Sequence, residues 1–172
     1  MKRLALAFAL ALPLVAIPAL AQSEEAATAG PFDPQVDAST ALARALATAR
    51  VRMAATDDAA GPQRVLAIFG ANWCHDSRDL AAMLASPRMA ELIARHYQVV
   101  LIDAGMPQTG NGLNLDLAAR HGVDDVTGTP TVLVLDAHGE LLNSPDNARG
   151  WRNASSRSER EVTRFLRQWV RQ

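Results

Sequence analysis

The run Phe69-Gly70-Ala71-Asn72-Trp73-Cys74-His75-Asp76-Ser77-Arg78 decides how the rest of the chain is read. Upstream of it, Val65 to Phe69 is an unbroken apolar stretch, the pattern of a strand buried on both faces. Downstream, Leu80, Met83 and Leu84 fall on one face of a helix. Cys74 therefore stands at a helix N-terminus. The unpaired amide N–H groups of a first helical turn and the macrodipole both favour a thiolate there, which makes Cys74 a candidate nucleophile. It is the only cysteine of the chain. Ser77 occupies the place where the second sulfur of a Cys-x-x-Cys pair would stand. Of the neighbours, a protonated His75 favours thiolate and the Asp76 carboxylate opposes it, so the helix terminus decides the sign.

Outward from this run, the N-terminus reads Met1-Lys2-Arg3, then an uncharged apolar stretch from Leu4 to Ala21 ending in small residues. That pattern predicts a signal peptide over residues 1–21, cleaved after Ala21, with an uncleaved membrane anchor as the alternative. Export places the remaining chain in an oxidising compartment, where one cysteine gives no internal disulfide. The 151 residues left suffice for one domain with its own core. Lys2 is the only lysine, so the exported chain sets 15 arginines against 18 carboxylates, a net charge of −3. No basic stripe and no interleaving of basic and aromatic residues stands out, and nucleic acid is not an expected partner.

Residues 22–36 are small, acidic and proline-bearing, and read as a flexible, solvated linker. Order is expected from Asp37. A helix follows, with Leu42, Leu46, Ala49 and Met53 inward and Asp37 or Ser39 as N-cap. After the strand at Val65–Phe69 and the helix behind Cys74, Ser86-Pro87 restarts a helix. Tyr97–Ile102 is a second buried strand, and a glycine-rich loop leads to Asn114, expected to cap a short helix over 115–121. Thr131–Leu135 is a third strand, and Asp136-Ala137-His138-Gly139 a hairpin turn into Leu141-Leu142. The last helix has a Ser158/Glu161 capping box and an apolar face of Val162, Phe165, Leu166, Trp169 and Val170. Strands alternating with helices predict an α/β fold, a mixed sheet covered on both faces.

The segment Val65–Arg78 resembles the active-site segment of the thioredoxin superfamily, and Gly128-Thr129-Pro130-Thr131-Val132-Leu133 resembles its Thr-cis-Pro loop entering the next strand. The resemblance runs from about Asp37 to Trp169. It implies a thioredoxin-like domain over residues 37–172, in an exported bacterial member of the family. It also implies that Cys74 attacks disulfides, that Trp73 is a part-exposed platform for bound peptides, and that Thr129 and Pro130 shape the peptide site. Two departures matter. Ser77 can donate a hydrogen bond to the Cys74 thiolate but cannot form the S–S bond that releases a partner. The acidic residue that family members carry six positions before the cysteine is here Ile68.

The expected activity is thus monothiol thiol–disulfide exchange in the periplasm. The resolving thiol would come from glutathione or from a periplasmic protein bearing thiols or disulfides. No resident cofactor is expected, nor a metal, since adjacent Cys74 and His75 alone do not make a ligand set. Three readings stand beside it: a sensor, isomerase-like factor or holdase forming mixed disulfides without turnover, a redox-inert binding protein or chaperone, and peroxidase chemistry. The last lacks the threonine three residues before the nucleophile, where Ala71 stands. A monomer is expected, with a Cys74–Cys74 dimer as the alternative.

Overall fold

A computed structural model describes residues 30–55 and 61–171, so the expected signal peptide over 1–21 lies outside the described residues. Among those described, no helix is long and apolar enough to cross a membrane. The order of elements is α1 (Ala38–Ala55), β1 (Arg64–Gly70), α2 (His75–Leu84), α3 (Pro87–His96), β2 (Tyr97–Asp103), β3 (Gly105–Met106), β4 (Asn111–Gly112), α4 (Leu115–Arg120), β5 (Thr131–Leu135), α5 (Pro145–Arg149) and α6 (Glu159–Trp169).

The main sheet runs β2-β1-β5, with β2 parallel and β5 antiparallel to the central β1. This is the mixed sheet expected from the alternation of strands and helices. All seven residues of β1 are buried, yet their side chains still divide by pleat. Val65, Ala67 and Phe69 join Leu42, Ala49, Ile102, Leu133 and Leu135 on one face, under α1 and α4. Leu66 and Ile68 join Leu80, Met89, Val132, Trp151, Val162 and Leu166 on the other, under α2, α3 and α6. Ile68 thus continues an apolar layer at the position where the family places an acid.

Capping divides the helices. Asp37 caps α1 by accepting from the Thr40 amide at 2.6 Å, and Ser158 and Glu161 close the α6 capping box in both directions. Ser86 and Asn114 precede α3 and α4 without capping them through their side chains. Asn114 instead takes a left-handed backbone (φ 57°) and donates to the Asp103 carbonyl at 2.9 Å. The expected strand after the Asp136 turn shrinks to one bridge, Leu135 to Leu141, because beyond it the Asn143 side chain takes the β5 edge, accepting from Val134 N at 2.8 Å and donating to Val132 O at 2.9 Å. The glycine-rich loop after β2 carries its own two-residue ladder, β3 against β4.

The expectation of a solvated 22–36 segment fails at its C-terminal end. Phe32 is fully buried and belongs to the α2/α6 side of the core. Its amide donates to Asn72 Oδ1 at 3.0 Å and its carbonyl accepts from Asn72 Nδ2 at 2.7 Å. The packed domain therefore begins before Asp37. Hydrophobic burial of one aromatic ring outweighs the polar composition around it.

Candidate active site

Of the residues singled out in the sequence, Cys74, Thr129 and Pro130 meet where α2 begins beside the loop entering β5, while His75, Asp76 and Ser77 point elsewhere. The Asn72 clamp on Phe32 fixes the end of β1, and Asn72 in turn accepts at its carbonyl from Arg78 Nη1, one turn into α2. Cys74 is the N-cap of α2, with extended backbone angles (φ −85°, ψ 115°), and its amide donates to Ala71 O at 3.1 Å. The helix therefore begins at His75, with the sulfur at its positive end. Cys74 is 8% exposed, and its Sγ donates to the Thr129 carbonyl at 3.4 Å. The Thr129–Pro130 bond is cis. Trp73 stands beside the thiol, half exposed, its indole Nε1 donating to Gly105 O in β3 at 2.9 Å.

Ser77 departs from expectation. It is fully buried, and its hydroxyl has no hydrogen-bond partner, Cys74 included. The first turn of α2 carries Ser77 inward against Gly70, where the Phe32 ring also packs. A Cβ on Gly70 would lie 2.4 Å from Phe32 Cζ and 3.0 Å from Ser77 Cβ, so glycine is needed there for ring, strand end and helix to meet.

His75 and Asp76 are turned away toward the 3₁₀ turn Ala154–Ser156. Asp76 accepts from Ser155 N at 2.8 Å and from Ser155 Oγ at 2.6 Å, while His75 Nε2 lies 3.3 Å from that hydroxyl and 3.4 Å from Asp76 Oδ2. Burial works against the Asp76 charge, but the two Ser155 hydrogen bonds outweigh it and, with His75 nearby, hold the carboxyl below the usual carboxylate range. A group held down in this way stabilises the fold above its unfolded pKa of about 3.9, and that contribution is lost as pH falls through the folded value. Asp76→Asn is therefore expected to lower the melting temperature at neutral pH, with the gap to wild type closing below about pH 4. Thermal melts from pH 2 to 7 check this, and parallel profiles would refute an ionised, hydrogen-bonded Asp76.

Three contributors escaped the sequence reading: Phe32, Asn72 and Ser155. Arg152 is a fourth. Its Nη2 donates to Thr127 Oγ1 at 2.6 Å, and its side chain leaves no room for a Cβ on Gly128, so it braces the loop ahead of Pro130. Trp151 beside it is buried, packs edge-on against Phe165 with ring centres 4.7 Å apart, and lies under the Arg157 guanidinium.

No protein-family model matches the chain, and no curated protein does. Among solved structures it is similar to a disulphide isomerase from Xylella fastidiosa Temecula1, with a TM-score of 0.66 and 29% identity, over 81% of this chain and 95% of that one. The chain has the thioredoxin-like fold of that structure. It is also similar to Deadhead, a germline-specific thioredoxin from Drosophila melanogaster, with a TM-score of 0.41 and 19% identity, over 74% of this chain and 96% of that one. On this thioredoxin-like fold, the α2 N-terminus and the cis-proline loop are where the chain gathers its one cysteine and its half-exposed tryptophan.

Proposed function

We propose that the chain is an exported, periplasmic monothiol thiol–disulfide exchange protein acting through Cys74. The observation that carries this reading is the sulfur at the α2 N-cap, within 3.4 Å of the Thr129 carbonyl, with a buried hydroxyl at position 77 in place of a second sulfur. The Cys74 thiolate attacks one sulfur of a disulfide R–S–S–R′. A Cys74–S–S–R bond forms and R′–S⁻ leaves. Ser77 has no sulfur with which to expel R, so a second thiolate from solution attacks the mixed disulfide, forming a new disulfide with R and returning Cys74 as thiolate. Glutathione or a protein thiol fills that role. Trp73 and the backbone around Thr129 and Pro130 offer the flat surface and strand-like edge that a peptide segment needs. The apolar stretch at 4–21 supports export.

Glutathione disulfide gives the direct test. The wild type is expected to gain one glutathionyl group, seen by intact mass, which excess reduced glutathione removes, and Cys74→Ala is expected to gain none. An unmodified wild type under conditions that fully modify an unfolded control would sink the proposal. Burial of Cys74 to 8% favours a second reading, in which the mixed disulfide forms but does not turn over. Steady-state reduction of a small disulfide by glutathione, dependent on Cys74, separates the two.

A further inference from the structure

Helix α6 has two faces, and the core uses one of them. Val162, Leu166 and Trp169 point inward, while Arg160, Arg164 and Arg167 recur at i, i+4 and i+7 and are exposed, as is Arg171 two residues past the helix end. The basic stripe that did not stand out in the sequence is therefore present, and its helical period hides it among core residues. Arg88 at the start of α3 faces it. Together with Thr163, these five arginines line a groove of about 810 Å³ between the two helices.

The local charge is lopsided in a chain whose formal net charge is −1. Among the described residues, one carboxylate forms an ion pair with this set, Glu159 at 3.4 Å from Arg88, and the Glu161 carboxylate also lies within the field of Arg164. Glu161 is held by Ser158 in the capping box, and Glu91 pairs with Arg95 one turn farther along α3. Like charges at i, i+4, as in Arg160/Arg164, destabilise a helix, and an anion seated between them relieves that repulsion. Guanidinium groups present paired donors that match phosphate oxygens. Eleven residues of helix extend about 16 Å, longer than one phosphate. The groove has no exposed aromatic platform for a base to stack on, since Trp169 is buried and Phe165 packs against Trp151 and Trp169.

We propose that the α3/α6 groove binds a ligand carrying two or more phosphate groups, either a soluble polyphosphate or the headgroups of an anionic phospholipid surface. The site is independent of the thiol chemistry. Two assays at low ionic strength, where surface charge is least screened, test it on the purified chain and distinguish the sources. One is the thermal shift on titrating tripolyphosphate. The other is co-sedimentation with vesicles of phosphatidylglycerol in phosphatidylcholine against phosphatidylcholine alone. Binding is expected in at least one assay, and the assay that responds names the source. Arg164→Gln with Arg167→Gln is expected to weaken that binding at least tenfold, while Arg44→Gln with Arg50→Gln, exposed on α1 and equal in charge lost, leaves it intact. Failure of both probes overturns the proposal, and so does an equal loss in the two double variants, which would mean diffuse attraction without a site.

Discussion

Replacing Phe32 with alanine is expected to destabilise the domain by about 3 to 5 kcal/mol, the range for truncating a fully buried aromatic ring. The ring has no exposed surface and lies against the bare backbone of Gly70, against which Ser77 also packs. None of these neighbours can collapse into the space, because the strand end and the first turn of α2 are each fixed by backbone hydrogen bonds. The bidentate clamp from Asn72 then holds a segment with little apolar surface left to bury. Urea unfolding of wild type and Phe32→Ala measures the difference. A loss below about 1 kcal/mol would mean that the segment before α1 does not pack as described.

Ser77→Cys is expected to change the chemistry from one thiol to two. Side chains three residues apart on a helix have Cβ atoms about 5 to 6 Å apart, and a disulfide draws its Cβ atoms to about 3.5 to 4.5 Å. Closure therefore asks the first turn of α2 to draw in by about 1 to 2 Å, after which the introduced thiol reaches the Cys74 sulfur. It attacks the Cys74–glutathione bond, forms an intramolecular disulfide and releases reduced glutathione. The glutathionyl adduct that accumulates on the wild type is then expected to be absent from the variant, whose oxidised form is two hydrogens lighter than its reduced one. The larger sulfur crowds Phe32 and Gly70, so a moderate loss of stability accompanies the gain. Persistence of the glutathionyl adduct would show that position 77 is turned out of reach of the sulfur.

The parts of the fold legible in the sequence were those specified within a few residues. Val65–Phe69 and Thr131–Leu135 are runs whose apolar character requires burial on both faces, and the Ser158/Glu161 box closes within one turn. The Cys74 site was legible for the same reason, since a strand passing into a helix fixes a sulfur at its N-terminus wherever the chain goes next. What stayed hidden depends on contacts distant in sequence. Asn72 meets Phe32 across 40 positions and Asp76 meets Ser155 across 79, and neither partner carries a local pattern that announces the other. Ser77 shows the limit from the other side. Its place three residues after the cysteine was plain, but its burial comes with a packed segment around Phe32 that polar, proline-bearing surroundings had assigned to solvent.

Because Asn72 grips the chain at Phe32, the polypeptide enters the folded body at the lip of the thiol site. Gly30 lies so close to the Asn72 side chain that a Cβ there would stand 2.5 Å from its Oδ1. The residue that holds the incoming chain thus stands two positions before Cys74 in the sequence. A bulky group attached at this clamp becomes a graded steric probe of how large a disulfide partner the sulfur will admit.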